Sequence, residues 1–268
     1  DLLNNAGYMK ADIDEIKIEN GKKMKILYHV HPNKRYTIRN IHRVVEDEGL
    51  RHFITIEDTA RSLLKSGNSF DVNTLNTERN RIASYLRNNG YYKFNKEDVR
   101  FSADTARNST EVDILMRIKL HQGDGRTAAT NHKRYTIGNV NFLTDITSAD
   151  EPVDTVQHHE YNFLHQGQQH FRKRLLISNT MIRPNNLYND SYFKRTYTNY
   201  TRLPAISFSS INIAERPGTD TIDCNITVNH AKPHSFGFDV EATNSAGDLG
   251  AAVSTSYQNK NLFKGSET

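Results

Sequence analysis

Apolar side chains alternate with polar ones along several stretches of this chain. In 111–120, Val112, Ile114, Met116, Ile118 and Leu120 point one way, which predicts a strand with one buried face. The shorter 98–103 run alternates too, and the turn-forming residues 104–110 between them predict a hairpin. A second hairpin is expected from 12–18 and 23–30, joined through Glu19, Asn20 and Gly21. Helical spacing takes over in 70–92. Asp71 is placed to cap, Leu75, Ile82, Tyr85 and Leu86 share a face, and Gly90 suits the left-handed position past the end. Upstream, 55–67 predicts a short helix with Thr55 as cap, Ile56, Leu63 and Leu64 apolar, and Gly67 as terminator. Tyr36, Ile38 and Ile41 open a strand before it.

One such series is not alone. Arg-Tyr-Thr-Ile-Arg-Asn-Ile at 35–41 returns as Arg-Tyr-Thr-Ile-Gly-Asn-Val at 134–140, an offset of 134 − 35 = 99 residues. Both are preceded by Leu-x-Asn-Asn, then Gly-Tyr, then two alternating runs. Matching order as well as letters implies duplication. Each copy reads β-α-α-β-β, so the fold class expected is α+β. The third copy has a strand at 135–143, helices at 170–181 and 189–203, and a hairpin of 205–214 with 221–228 through Pro217 and Gly218. Phe193, Tyr197 and Tyr200 are expected on one helix face, and Pro204 stops that helix. Ile222, Cys224, Ile226 and Val228 share one strand face, which makes Cys224 a small buried hydrophobe.

After the last copy the pattern changes. Phe236, Phe238, Val240 and Ala242 alternate with Gly237, Asp239 and Glu241, and Leu249, Ala251, Val253 and Tyr257 continue in the same manner. Two such runs predict a hairpin with one apolar and one polar face, the pattern of transmembrane β-strands. There is no apolar run of about 18 residues, hence no transmembrane helix is expected, and no signal peptide is in view. The opening Asp-Leu-Leu-Asn-Asn reads as a helix end, from which we expect chain upstream.

Composition changes this picture little. The 35 Lys and Arg against 31 Asp and Glu leave a net charge of +4, scattered along 268 residues, where nucleic-acid binders concentrate their basic residues. A mean hydropathy of −0.73 marks a water-facing chain. The single cysteine excludes a disulfide within the chain and a thiolate metal cage. His158, His159 and His165 of a polar insertion at 144–169, with His170 right after it, lack the spacing of a zinc site, so no metal is expected. His29 and His31 read as solvent-facing strand residues, and Gly123, Asp124 and Gly125 as a linker without the helix a phosphate loop needs. No G-x-S-x-G and no other catalytic constellation occurs, so neither an enzyme nor a cofactor is expected.

Tandem β-α-α-β-β copies with helix ends of Asn-Asn-Gly-Tyr, followed by a barrel-like hairpin, resemble POTRA modules of the Omp85 superfamily. The helix end at 85–97 looks most like the TamL-like proteins of Bacteroidota, relatives of BamA and TamA. The last copy departs from the pattern, with Arg202, Leu203 and Pro204 where Gly-Tyr is expected. The resemblance implies the end of one module at 1–33, a complete module with linker at 34–133, a last module at 134–233 and the first hairpin of a transmembrane barrel at 234–268. It implies an outer-membrane location with periplasmic modules, a lipoprotein anchor upstream in the TamL-like group, and a role in outer-membrane protein assembly or translocation. Partners implied are unfolded outer-membrane or surface proteins as clients, outer-membrane lipid and a TamB-like subunit, without nucleic acid. A free sheet edge can take an extended client as an extra strand. The candidate edge is Asp98, Val99, Arg100, Phe101, Ser102 and Ala103, and the candidate lateral seam is Phe236, Gly237, Phe238, Asp239 and Val240. Two other functions compete: a secretion pore of the two-partner type, and a soluble basic RNA-binding array, which would need exposed aromatics for base stacking.

Overall fold

The computed structural model describes residues 2–20, 23–105, 109–123, 128–146, 153–245 and 248–267. The turn residues Gly21, 106–108, Ala246 and Gly247, the linker residues Asp124 and Gly125, and 147–152 of the insertion lie outside them. The chain divides into two units, one of Asp1–Arg87 with Lys93–Lys133, the other of Asn88–Tyr92 with Arg134–Thr268.

The first unit opens with α1 (Leu2–Asn5) and the antiparallel pair β1 (Asp12–Asn20) and β2 (Lys23–His31). Then come β3 (Thr37–Val45), α2 (Glu48–His52), α3 (Val72–Asn88), β4 (Val99–Thr105) and β5 (Glu111–Ile118). The sheet order is β3-β5-β4, with β5 parallel to β3 and antiparallel to β4. Val112, Ile114, Met116 and Ile118 are all buried, as are Leu75, Ile82 and Leu86 of α3. Each such side chain is worth about 1.5–3 kcal/mol of transfer free energy. Leu120 lies beyond β5 and is only partly buried.

The first helix differs from the sequence expectation. It starts at Glu48, because Asp47 caps it, its side chain accepting from Leu50 N at 3.2 Å. Thr55 sits inside the continuation, a π-helical turn at Phe53–Glu57, and its hydroxyl donates back to Arg51 O at 2.7 Å. Of the apolar side chains Leu50, Ile54 and Leu64 are thus buried, while Ile56 and Leu63 are exposed. A charged cluster ties this irregular stretch to α3. Arg81 donates to Asp58 at 2.6 and 2.5 Å and to Glu78 at 2.7 and 2.9 Å, and Ser62 Oγ donates to Glu78 at 2.7 Å. Burial pushes the Glu78 carboxyl up, but the Arg81 and Ser62 hydrogen bonds win and hold it below the ordinary range.

The second unit contains β6 (Thr136–Thr144), β7 (Asp154–His158), β8 (Tyr161–His165), α4 (Lys173–Asn179), α5 (Asp190–Thr201), β9 (Ile206–Glu215) and β10 (Thr221–His230). They form a five-stranded sheet of order β7-β8-β6-β10-β9, and β11 (His234–Ser245) with β12 (Asp248–Asn259) forms a separate hairpin. The three strands β6, β10 and β9 repeat the pairing of β3, β5 and β4: parallel, then antiparallel. The polar insertion supplies the other two strands. Tyr161, Phe163 and His165 alternate inward on β8, which pairs parallel with β6. On α5 the buried face is Phe193, Thr196 and Tyr200, and Tyr197 is 48% exposed. Thr196 takes the inner place because its Oγ1 accepts from Met181 N at 2.9 Å.

The repeated Arg-Tyr-Thr-Ile has a physical cause in each unit. Tyr36 N donates to Gly7 O at 2.9 Å, and Tyr135 N to Gly90 O at 2.8 Å. The same tyrosines accept from Phe70 N and Tyr188 N, each at 2.9 Å. Ile38 N donates to Asn68 O and Ile137 N to Asn186 O, each at 2.8 Å, and the two isoleucine carbonyls accept from Gly67 N and Asn185 N, each at 2.7 Å. Arg35 Nε reaches Ala6 O at 2.7 Å and Arg134 Nε reaches Asn89 O at 3.1 Å. Each guanidinium also lies over the tyrosine that follows the glycine, 5.7 Å above Tyr8 and 5.8 Å above Tyr91. Gly7 and Gly90 hold φ of 93° and 99°, and a Cβ on Gly7 would stand 2.2 Å from Phe70 O. Glycine is therefore required after the Asn-Asn helix end, before Tyr8 and Tyr91, and the motif is a clamp on the first strand of the module.

Candidate functional sites: a free sheet edge and a two-faced hairpin

The edge strand begins one residue later than the sequence suggests. Asp98 closes a 3-10 turn (Lys96–Asp98), where it and Asn95 form a reciprocal capping box. Asp98 N donates to Asn95 O at 3.1 Å, and Asp98 Oδ2 accepts from Asn95 N at 2.8 Å. Val99, Arg100, Phe101, Ser102 and Ala103 do lie on β4. Val99 is buried, Phe101 is partly buried beneath Arg79 at 5.7 Å, and Arg100, Ser102 and Ala103 face water. Among the described residues β4 pairs only with β5.

The register settles which backbone groups face outward. Lys119 N donates to Asp98 O at 3.0 Å, and these residues continue the β4–β5 register that pairs Val99 with Ile118. Asp98 therefore starts a series of hydrogen-bonded pairs, and Arg100, Ser102 and Asp104 turn their N–H and C=O groups toward β5. Val99, Phe101, Ala103 and Thr105 turn theirs to the open side. A proline at Arg100 or Ser102 would break the sheet itself, whereas Ala103 carries an outward N–H on an exposed residue.

Beside this edge lies a buried polar cluster that sequence reading missed. His132 N and Nδ1 lie 2.6 and 2.9 Å from Asp47 Oδ2, and His132 Nε2 lies 3.5 Å from Asp98 Oδ2, an ion-pair distance. The ring of Phe94 is 4.9 Å from that of His132, and the His121 ring is 5.5 Å away. Burial pulls the His132 pKa down, but Asp98 and Asp47 outweigh it and raise it above the ordinary 6.5. For Asp98, burial pushes up, while His132 and the Asn95 amide win and lower it below 3.8. Asp47 and His132 are 85 apart in sequence, so no local pattern announces the pair.

The hairpin is two-faced from Ser235 to Ala242 and from Ala251 to Gln258. Phe236 pairs with Tyr257, Phe238 with Thr255, Val240 with Val253 and Ala242 with Ala251, all on one face. Phe236, Phe238, Val240 and Val253 are 81, 69, 66 and 63% exposed. The other face carries Ser235, Gly237, Asp239 and Glu241 opposite Gln258, Ser256, Ser254 and Ala252. An isolated hairpin with such a face is not expected to persist in water without a partner for that face.

Other features narrow the chemistry. Cys224 is buried and its thiol is pushed up to about 12 by burial, so it is no nucleophile. The outer face of the five-stranded sheet carries a row of amides, Gln157, Asn162, Asn141, Asn225 and Asn212, in register. Asn162 donates to Asn141 at 2.9 Å and Asn141 to Asn225 at 2.8 Å. Among the described residues, His170, just after the insertion, joins a potential ligand set with Asp145 and His230.

No family model matches the sequence, and no curated protein matches it significantly. Solved structures do match. BamA from Haemophilus ducreyi lacking POTRA domains 1-3 aligns with a TM-score of 0.55 at 14% identity, over 85% of this chain and 35% of that one. Haemophilus influenzae BamA POTRA3-5 aligns over 85% of this chain and 75% of that one, at 15% identity and a TM-score of 0.46. CdiB from Acinetobacter baumannii gives 12% identity, a TM-score of 0.38 and coverage of 86% and 36%. The fold resembles POTRA domains. The POTRA-like units are built on the Arg-Tyr-Thr-Ile clamp, and β4 is an outer strand of the first.

The His132 cluster sets a pH dependence. A histidine whose pKa is raised by folding contributes stability that is full below about 6.5 and is lost as pH rises through the folded value. The unfolding midpoint of the protein should therefore fall as pH rises above 6.5, and His132→Asn should remove that component of the slope. Urea unfolding of both proteins from pH 6 to 9 checks this; identical slopes would show that the His132 charge is not coupled to folding.

Proposed function

We propose that this chain belongs to an Omp85-type protein of the outer membrane, whose POTRA-like units receive extended client polypeptides and whose β11–β12 hairpin starts a membrane barrel. The observation that carries the reading is the hairpin's apolar face, exposed at Phe236, Phe238, Val240, Val253 and Tyr257 on paired twelve-residue strands. Transmembrane β-strands need about 9–11 residues with lipid-facing side chains alternating with polar ones. The similarity of the fold to BamA supports the same reading. The helix end at 85–97 supports the TamL-like branch.

Client reception is assigned to β4. An added strand gains its affinity from main-chain bonds, which suits clients of many sequences. The reading is non-catalytic: it needs no cofactor, and the buried thiol of Cys224 offers no nucleophile. The amide row on the outer sheet face argues against an RNA-binding array, which would require stacking aromatics there.

Two substitutions test the two halves of this proposal. Val240→Arg puts a cation on the apolar face and should cost about 2–4 kcal/mol if that face meets lipid. Glu241→Arg, on the other face, should leave recovery of folded protein in outer-membrane fractions unchanged, and equal recovery of both variants would sink the barrel assignment. Ala103→Pro removes an outward N–H and should strongly reduce photocrosslinking of clients from Ser102, while Ala103→Gly should retain it. Client capture that survives Ala103→Pro in a folded module would mean that this edge is only solvated.

A further inference from the structure

Asp145, His170 and His230 come together from three separate parts of the second unit. Asp145 follows β6 in the left-handed region, with φ of 52°, and its N donates to Val228 O at 3.2 Å. His230 ends β10, and His170 stands just before α4. The carboxylate faces both rings: Oδ2 is 2.9 Å from His170 Nδ1 and Oδ1 is 2.7 Å from His230 Nδ1. The imidazoles stack at 3.8 Å between centroids and 21° between planes, so both present an edge to the same carboxylate. One donor atom from each residue lies within 4.8 Å of the others.

We propose that these three residues bind a divalent transition-metal ion of the zinc class. Two imidazoles and one carboxylate are a common protein donor set for zinc, leaving further positions for water. Bonds of about 2.0–2.2 Å to zinc separate neighbouring donors by roughly 3.0–3.5 Å. The present N···O separations reach that by opening a few tenths of an ångström, and the two stacked rings must splay apart so that both in-plane nitrogen lone pairs point at one ion. The open side exists: a cavity of about 190 Å3 is bordered by His170, His230, Pro233, Asn261 and Lys264. Asn261 is held there, donating to His170 O at 2.9 Å. Lys264 is the electrostatic opponent of a cation at this place. The alternative is a clamp in which the rings simply share hydrogen bonds with Asp145.

The position gives such an ion a consequence. His230 is followed by Ala231, Lys232 and Pro233 and then β11, and Lys260, just after β12, donates its N–H to Pro233 O at 2.8 Å. Arg172 N donates to Lys264 O at 2.9 Å, bringing the segment after the hairpin back to the residues before α4. A bound ion would tie the ends of β6 and β10 and the start of α4 together where the hairpin leaves the sheet.

The test uses the whole chain in detergent, stripped with a chelator and titrated with Zn2+ by calorimetry and with Co2+ by visible absorption. One equivalent should bind with a Kd on the order of micromolar or tighter. His170→Ala and His230→Ala should each weaken binding by at least about tenfold, and Lys264→Ala should tighten it. A double His158→Ala, His159→Ala variant, which removes the ring pair at the other end of β7, should bind as before. Histidine ring NMR signals of the unaltered protein decide the matter even where a variant fails to fold: His170 and His230 should shift together up to one equivalent. Absence of binding, shifts confined to His158 and His159, or full-strength binding in folded His170→Ala and His230→Ala would overturn the site.

Discussion

Four backbone hydrogen bonds around a Tyr-Thr-Ile segment hold the first strand of each unit, and the rest of each module is arranged about that strand. Tyr36 and Tyr135 are nearly fully buried, so their amides and carbonyls have no water to turn to. Leaving any one unmade would cost about 1–3 kcal/mol. The partners are a glycine carbonyl at a helix end and the loop that leads into the second helix, so one tripeptide fixes both ends of the connection. Only a left-handed residue lets the helix end present that carbonyl, which Gly7 and Gly90 supply. The loop partner uses the same conformation, through Gly67 in one copy and Asn185 in the other, at φ of 84° and 63°.

With the first strand locked, the parallel strand from the end of the module fills the centre of the sheet and its hairpin partner is left outside. In the first unit this leaves β3 and β4 as outer strands; in the second, β8 covers β6 and the outer strands become β7 and β9. The two copies thus share a core and differ in edge. That difference comes from the insertion, which covers only β6, the counterpart of β3; β4 and its counterpart β9 are outer strands in both units.

Periodicity exposed much of this. The strand at Val112–Ile118, the helix around Leu75 and Ile82, the buried Cys224 and the hairpin after His230 all follow from spacing, because each buries one face of a regular element. The misses have physical causes. Asp47 captures the helix start seven residues before the helix read at Thr55, since a buried cap outweighs propensity in a β-branched stretch. Thr196 displaces Tyr197 because a hydroxyl was needed inside, and β8 was hidden by the polar residues around Tyr161 and Phe163. The His132 cluster and the Asp145, His170 and His230 group were illegible, since their members are joined only by the tertiary fold. Of the candidate edge, the strand itself was legible from alternation, but which amides face outward required the pairing with β5.

Amide hydrogen exchange, resolved residue by residue on the folded chain, tests the clamp and the open edge together. Tyr36, Ile38, Tyr135 and Ile137 should exchange slowly, and along β4 protection should alternate, slow at Arg100 and Ser102 and fast at Phe101 and Ala103. Fast exchange at Tyr36 and Tyr135, or uniform protection through Phe101 and Ala103, would contradict this structure of the module.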